Sequence, residues 1–406
     1  MSFFAPRLAR VLPSPTLEMT RLALEMKAAG HDVIGLSAGE PDFDTPDFIK
    51  QAAIEGLRRG ATKYTAVDGT PSLKKAIAAK FARENGLTYT PQEISVGAGG
   101  KQVIFNALVA TVGPGDEVVI PTPYWVSYPD MVRLAEGEPV FCPTAPERGF
   151  KMRPEDLDRV LSPRTKWLIL NAPSNPSGVT YTADELRAFA DVLRKYPDVW
   201  VLSDDIYEHI LYTDAPFSTL AQVAPDLKDR VLTVNGVSKA YAMTGWRIGY
   251  AGGPAALIKK MGEIQGHSTS NPATVSQVAA EAALTGPQDF LIQQRAAFRE
   301  RRDSLVAGLN AIPGLRCPLP EGAFYVFPSC AGLIGTQTAD GATLDSDTAV
   351  VKYLLTEALV ATVPGSGFGL GPHVRLSYAV SGDVLRKACA RIHAAVDKLK
   401  GVRTDV

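Results

Sequence analysis

The chain has 406 residues, with 42 basic and 43 acidic side chains and a formal net charge of −1. That length can bury a large core and suggests about two domains. The near-balanced charge leaves no electrostatic footprint for nucleic acid or an anionic membrane surface, and no apolar run approaches the length that spans a bilayer.

Four scattered cysteines (Cys142, Cys317, Cys330 and Cys389) without a CxxC spacing read as structural thiols of a reduced, cytoplasmic protein. Five isolated histidines, none in an HExxH pattern, argue against a metal site. The opening "MSFFAPRLARVLPSP" has no continuous apolar core of the kind a secretory signal needs. Pro6, Pro13 and Pro15 disfavour a helix there, so residues 1–15 are expected to form an arm.

In chain order, the stretch Leu17 to Gly30 reads as a helix that joins a smaller domain. From about residue 47 to 285, apolar β-prone runs alternate with helical patterns. The strand candidates are "EISVGA", "DEVVIP", "GEPVFCP", "KWLILNA", "WVLSDDIY", "RVLTVNG" and "RIGYAGG". Between them, "TADELRAFADVLRKY" carries a capping box from Thr182 to Glu185. Near-continuous apolar strands separated by helices predict a mostly parallel α/β sheet covered on both faces. After residue 286 a long charged amphipathic segment, two short strands ("GAFYVFP", "HVRLSYA") and a closing helix to about Lys400 predict an α+β unit. The expected division is therefore a large domain at 47–285 and a small one from 16–46 with 286–406.

Ligands of open α/β sheets bind beyond the carboxyl ends of the strands, and polar residues gather at those ends. "KWLILNAPSNPSG" ends in Asn171 and Asn175, "VWVLSDDIYEH" in Asp204, Asp205 and Tyr207, and "VLTVNGVSK" in Ser238 and Lys239. "VGAGGK" is a glycine-rich turn opening a helix, which offers backbone N–H groups to an anion such as phosphate; it matches neither GxxxxGK[ST] nor GxGxxG. Lys239 has no acidic neighbour within five residues, and Arg247 follows eight positions later. Fully extended, that spacing would separate the two by up to about 27 Å, so they share a site only if the chain folds back, a turn for which Gly245 is the candidate. A phosphate nest, an acid, an asparagine, a tyrosine, a lysine and an arginine together form the set that pyridoxal phosphate requires. By residue type alone, Arg375 reads as an ordinary strand arginine, Trp125 and Tyr128 as core aromatics, Asp205 as a solvated neighbour of Asp204, Asn171 as a cap of its own loop, and Lys101 as a surface lysine.

"NGVSKAYAMTGWRIGY" resembles the cofactor-lysine signature of the class I aminotransferases, and the similarity continues in order through "SAGEPDFDTP", "KYTAVDGTPSLKKAI", "GAGGKQVIFNAL", "IPTPYWVSYPDMV", "NAPSNPSGVTYT", "SDDIYEHI", "GAFYVF" and "VPGSGFG". Within that class the chain resembles the bacterial aspartate aminotransferases of the subgroup labelled one-beta. The resemblance implies the type I fold of pyridoxal phosphate enzymes: a mostly parallel seven-stranded sheet sandwiched by helices, plus a smaller α+β domain, in a homodimer with shared active sites. It implies that Lys239 forms the Schiff base and moves the substrate proton. Asp204, three residues before Tyr207, would keep the pyridine nitrogen protonated, and Tyr207 with Asn175 would hydrogen-bond the ring oxygen and lower the pKa of the protonated Schiff base. Gly99, Gly100, Lys101, Ser238 and Arg247 would lie around the cofactor, and Tyr64 would reach the partner subunit's phosphate. Trp125 would stack on the ring, while Arg375 and Gly39 would hold the substrate α-carboxylate.

The substrates implied are an amino acid and a 2-oxo acid, taken in turn. Lys101 in the glycine turn would meet the distal carboxylate of aspartate as a point charge, with 2-oxoglutarate as the default acceptor. Leu12, His267 and Ser268 stand where members of the subgroup carry a lysine and two glutamines. Those departures leave glyoxylate, prephenate, or an aromatic or broad specificity as alternatives.

Overall fold

The computed structural model describes residues 3–13 and 15–404. Of the predicted arm, Met1, Ser2 and Ser14 lie outside the described residues. The rest of the arm holds a 3-10 turn, Pro6–Arg10, that tolerates proline at its first position. Arg10 anchors the turn by donating to Gly137 O at 2.9 Å and to Glu138 at 2.6 Å.

Seven strands build the main sheet: β1 (Ile94–Gly97), β2 (Glu117–Pro121), β3 (Glu138–Cys142), β4 (Thr165–Asn171), β5 (Trp200–Asp204), β6 (Val231–Gly236) and β7 (Gly249–Gly252). Their spatial order is β1-β7-β6-β5-β4-β2-β3, and β7 alone runs antiparallel to its neighbours. Side chains alternate between two apolar layers, as strand geometry requires. Leu168, Leu170 and Val201 enter one cluster, and Trp167, Ile169 and Leu202 the other. Both faces are dry, which is why these strands read as unbroken apolar runs.

Helices α1 (Pro15–Ala28), α2 (Asp47–Arg58), α3 (Pro71–Asn85) and α4 (Gly100–Thr111) precede most of the strands. Met19 and Ala23 of α1 join a third apolar cluster together with Phe298, Leu305, Val350, Leu376 and Ile392. That cluster packs the 22-residue helix Asp289–Asn310 and the helix Gly382–Val396 against a small antiparallel sheet of Val363–Pro364, Val374–Ser377 and Tyr325–Val326. Ile34–Gly35 pairs in parallel with Val360–Ala361, a contact between distant segments too short to announce itself in sequence. Among the described residues no helix is long and apolar enough to cross a membrane.

Register positions the site. Asn171 lies opposite Asp204 and Asp204 opposite Val234, so the ends of β4, β5 and β6 stand side by side.

The capping box also forms: Thr182 Oγ1 accepts from the Glu185 N–H at 3.2 Å, and Glu185 accepts from the Thr182 N–H at 2.7 Å. Thr182→Ala removes the hydroxyl acceptor and is expected to cost about 1 kcal/mol. The expected reading is a lower urea midpoint at unchanged slope; an unmoved midpoint would show that the cap contributes nothing.

Candidate active site

Lys239 and Arg247 sit on the loop between two antiparallel partners, since Gly236 pairs with Gly249. The fold-back does not depend on Gly245. That glycine lies in a 3-10 turn, Thr244–Trp246, where an added Cβ meets nothing within 4 Å. Reversal comes instead from Ala242 at φ 51° and Arg247 at φ 56°, a left-handed conformation that costs a non-glycine residue energy and persists only when its surroundings enforce it. The enforcement is visible: Thr45 donates to Ala242 O at 2.6 Å and Trp246 Nε1 donates to Thr45 at 3.1 Å.

A cavity of about 410 Å³ opens beyond the strand ends, and its walls include Gly39, Gly100, Lys101, Trp125, Asn175, Asp204, Tyr207, Ser238, Lys239, Arg247 and Arg375. Gly99 adjoins it as the cap of α4 at φ 86°, and a Cβ there would run into the Arg247 guanidinium. A Cβ on Gly249 would collide with the backbone of Gly99 and Gly100. The glycine turn, with its N–H groups and Arg247, is thus a cradle that larger residues would fill. Tyr64 stands apart from this cavity, 90% exposed.

Lys239 Nζ donates to Gly39 O at 2.7 Å. Burial, with Arg247 and Arg375 adding positive charge nearby, holds its ammonium down to about 8. Asp204 is pushed up to about 6 by burial, against hydrogen bonds from Tyr128 and the Ile206 N–H. Because the carboxyl is raised, its proton supports folding below 3.8, and that support is lost as pH rises through about 6. Tyr207 shares a 2.9 Å hydrogen bond with Tyr325, and burial next to that hydroxyl raises its phenol well above the ordinary range.

Arg375 is 2% exposed. It donates to Asn175 Oδ1 at 3.0 Å and to Ser37 O, lies 4.7 Å from the Tyr325 ring centre and 4.9 Å from that of Phe368, and keeps a buried Nε without a partner among the described residues. A buried guanidinium with an unmet donor suits an incoming carboxylate. Lys101 is exposed, with its ammonium 4.8 Å from the Trp125 ring centre; partial burial and Arg247 lower its pKa.

Several expectations change on contact with the structure. Asp205 is not solvated: it is 2% exposed, accepts from Ser203 at 2.7 Å, and burial pushes its carboxyl well above the usual carboxylate range. Asn171 does brace its loop, accepting from the Asn175 N–H at 2.9 Å, but it also donates to Asp204 O at 2.9 Å. Tyr128 is no inert core ring; its hydroxyl donates to Asp204 Oδ2 at 2.6 Å. Tyr128 follows Trp125 by three residues, a spacing that could have flagged it. Tyr325, another cavity wall, lies in the predicted strand "GAFYVFP", where nothing marks its hydroxyl as functional. Of the three departures, Ser268 lines an adjoining groove with Lys101 and Arg247, while His267 and Leu12 are surface residues.

This chain belongs to the class I and II aminotransferases, whose family profile matches residues 31–392. Its architecture is the type I fold of that pyridoxal phosphate-dependent family. It is similar to the aspartate/prephenate aminotransferase of Cereibacter sphaeroides, 58% identical over 97% of this chain and 98% of that protein. The crystal structure of the aspartate aminotransferase from Rhizobium meliloti superposes with a TM-score of 0.95 at 54% identity, covering 98% of this chain and all of that one. The Thermus thermophilus aspartate aminotransferase with maleate gives 0.91 at 44% identity over 97% of this chain and 100% of its own.

Tyr128→Phe deletes a hydrogen bond that favours the charged carboxylate, so the Asp204 midpoint should climb above about 6, by up to about one unit. Carbon-detected NMR of the cofactor-free protein, assigned with Asp204→Asn, reads it; an unmoved or lower midpoint contradicts the role given to Tyr128.

Proposed function

We propose that the chain is a pyridoxal phosphate-dependent aspartate aminotransferase that passes the amino group of aspartate to a 2-oxo acid, 2-oxoglutarate by default. The observation that carries the reading is a cavity holding a lysine with its ammonium brought down to about 8, a buried carboxyl and two guanidinium groups. At pH 7 about a tenth of such an amine is neutral, against less than about one part in a thousand of an ordinary lysine. Only the neutral amine is a nucleophile or a proton acceptor.

The donor set fits the cofactor. Gly99, Gly100, Ser238 and Arg247 would hold its phosphate, Asp204 would accept a hydrogen bond from its ring nitrogen, Tyr207 and Asn175 would bond its ring oxygen, and Trp125 would lie against the ring. Bound pyridoxal phosphate supplies an aldehyde carbon that joins an amine and a protonated ring that withdraws electrons. Asp204 would keep that ring nitrogen protonated, with the Tyr128 hydrogen bond favouring the charged carboxylate. Lys239 Nζ takes the proton from the substrate Cα, a step open to a neutral amine and closed to an ammonium. Arg375 turns its fork to the α-carboxylate with Gly39 beside it, as bidentate geometry favours.

Lys101 meets the distal carboxylate, which gives preference for a dicarboxylic donor. Support comes from its place above Trp125 on the cavity wall, and from the Thermus relative being described with maleate, itself a dicarboxylate. Exposed Tyr64 serves the cofactor phosphate of a partner subunit in a homodimer, and the enzyme works in the cytoplasm. A second reading keeps the donor and changes the acceptor to prephenate. It is favoured by relatives at 58% and 56% identity that bear aspartate/prephenate names. Loading the amino form of the enzyme and ranking oxo acids by rate separates the two acceptors.

Lys101→Ala is expected to lower turnover of aspartate about tenfold or more, the worth of a charge-assisted hydrogen bond. Alanine and aromatic donors should stay within about twofold. Equal losses for every donor in steady-state assays would make Lys101 structural and leave the distal carboxylate unread.

A further inference from the structure

Behind the cavity lies a second cluster of ionisable groups. Lys80, near the end of α3, is 0% exposed, so its ammonium carries a heavy desolvation penalty unless bonded on several sides. It donates to Glu208 and, at 2.8 Å, to Asn85 Oδ1, with Glu84 at 3.5 Å. Glu208 also accepts from Asn85 at 2.6 Å and from Asn235 at 2.9 Å. His209 Nε2 reaches Glu84 at 2.9 Å, and its Nδ1 stands 3.8 Å from Glu208. Glu84, Glu208 and His209 offer atoms within 4.8 Å of one another, as a metal site would, but the Lys80 ammonium already bonds Glu208 and stands 3.5 Å from Glu84. Burial alone would raise the two acids. Instead, Lys80 and His209 hold Glu208 low, and His209, Lys80 and Arg83 hold Glu84 down to about 2.

A buried ion pair is weak support for stability, because apolar residues of equal volume often do as well. What this one supplies is a fixed relative position for two strand ends. Glu208 directly follows Tyr207, whose hydroxyl bonds Tyr325 on the cavity side. Asn235 closes β6 four residues before Lys239, and its Oδ1 accepts from the Gly236 N–H at 2.7 Å.

We propose that Lys80 is a positioning residue of this site: through Glu208 and Asn235 its ammonium locks the turn that carries Tyr207, just past Asp204, against the strand end that leads to Lys239. The proposal rests on the site reading above and extends it to a residue that touches neither substrate nor cofactor. Supporting groups of this kind hold reacting groups within the fraction of an ångström that catalysis tolerates.

Lys80→Met and Glu208→Gln, loaded with cofactor, test it through the pH midpoint of the visible absorption band. A well-placed Tyr207 favours the deprotonated form of the lysine–cofactor link, so loosening it moves the midpoint up. Both variants should shift upward by about one pH unit, with kcat about tenfold lower and KM within about threefold. A pure charge effect would send the two midpoints in opposite directions, because one variant deletes a positive charge and the other a negative one; that outcome overturns the proposal. So does a lower melting temperature with both midpoints at the wild-type value. If Lys80→Met does not fold, the isosteric Glu208→Gln decides alone by the same criterion. A wild-type protein without any titrating band would instead overturn the site reading, and this proposal with it.

Discussion

Taking the Lys239 ammonium out of water, next to two guanidinium groups, is the constraint on which the rest of the site depends. Burial and the charges of Arg247 and Arg375 favour the neutral amine. Asp204 is the counterpart, a carboxyl for which burial favours the neutral form and Tyr128 pulls back toward charge. Each group is costly where it stands, and the cost is tolerated because the fold fixes both in place. Perturbed groups of opposite type sharing one cleft mark a reaction centre.

The fixing is done by backbone. Adjacent ends of β4, β5 and β6 set Asn171, Asp204 and the approach to Lys239 side by side, at the end of the sheet where α/β proteins bind ligands. Antiparallel β7 then returns the chain past the glycine turn of α4. Gly249 has no side chain because Gly99 and Gly100 lie against it. The same close approach brings Arg247 to the anion cradle. Further out, Lys80 and Glu208 tie these strand ends to α3.

Much of this was legible in the residues. Seven apolar runs marked the seven sheet strands because both faces are buried, and the Thr182–Glu185 spacing marked a helix start because capping is local. The residue types at the strand ends pointed to the cofactor class, and the ordered motifs to the family. What stayed hidden depends on contacts between distant segments. Asp205 reads as a solvated acid until β5 turns it inward beside Ser203. Gly245 looks like the hinge, yet the reversal falls on Ala242 and Arg247, whose left-handed backbone no propensity predicts. Lys80 carries no mark in the sequence, and its burial against Glu208 joins segments 128 residues apart. Tyr128 reads as a core aromatic and Tyr325 as one more strand residue, because a ring announces burial and says nothing of where its hydroxyl points.

The central claim is that the amine at position 239 bonds pyridoxal phosphate in the resting enzyme. Borohydride reduction of the loaded protein, followed by proteolysis and peptide mass analysis, tests it directly. One pyridoxyl phosphate increment is expected on the peptide containing Lys239 and none elsewhere. An increment confined to another lysine, or no reducible increment in protein that has taken up cofactor, would contradict it.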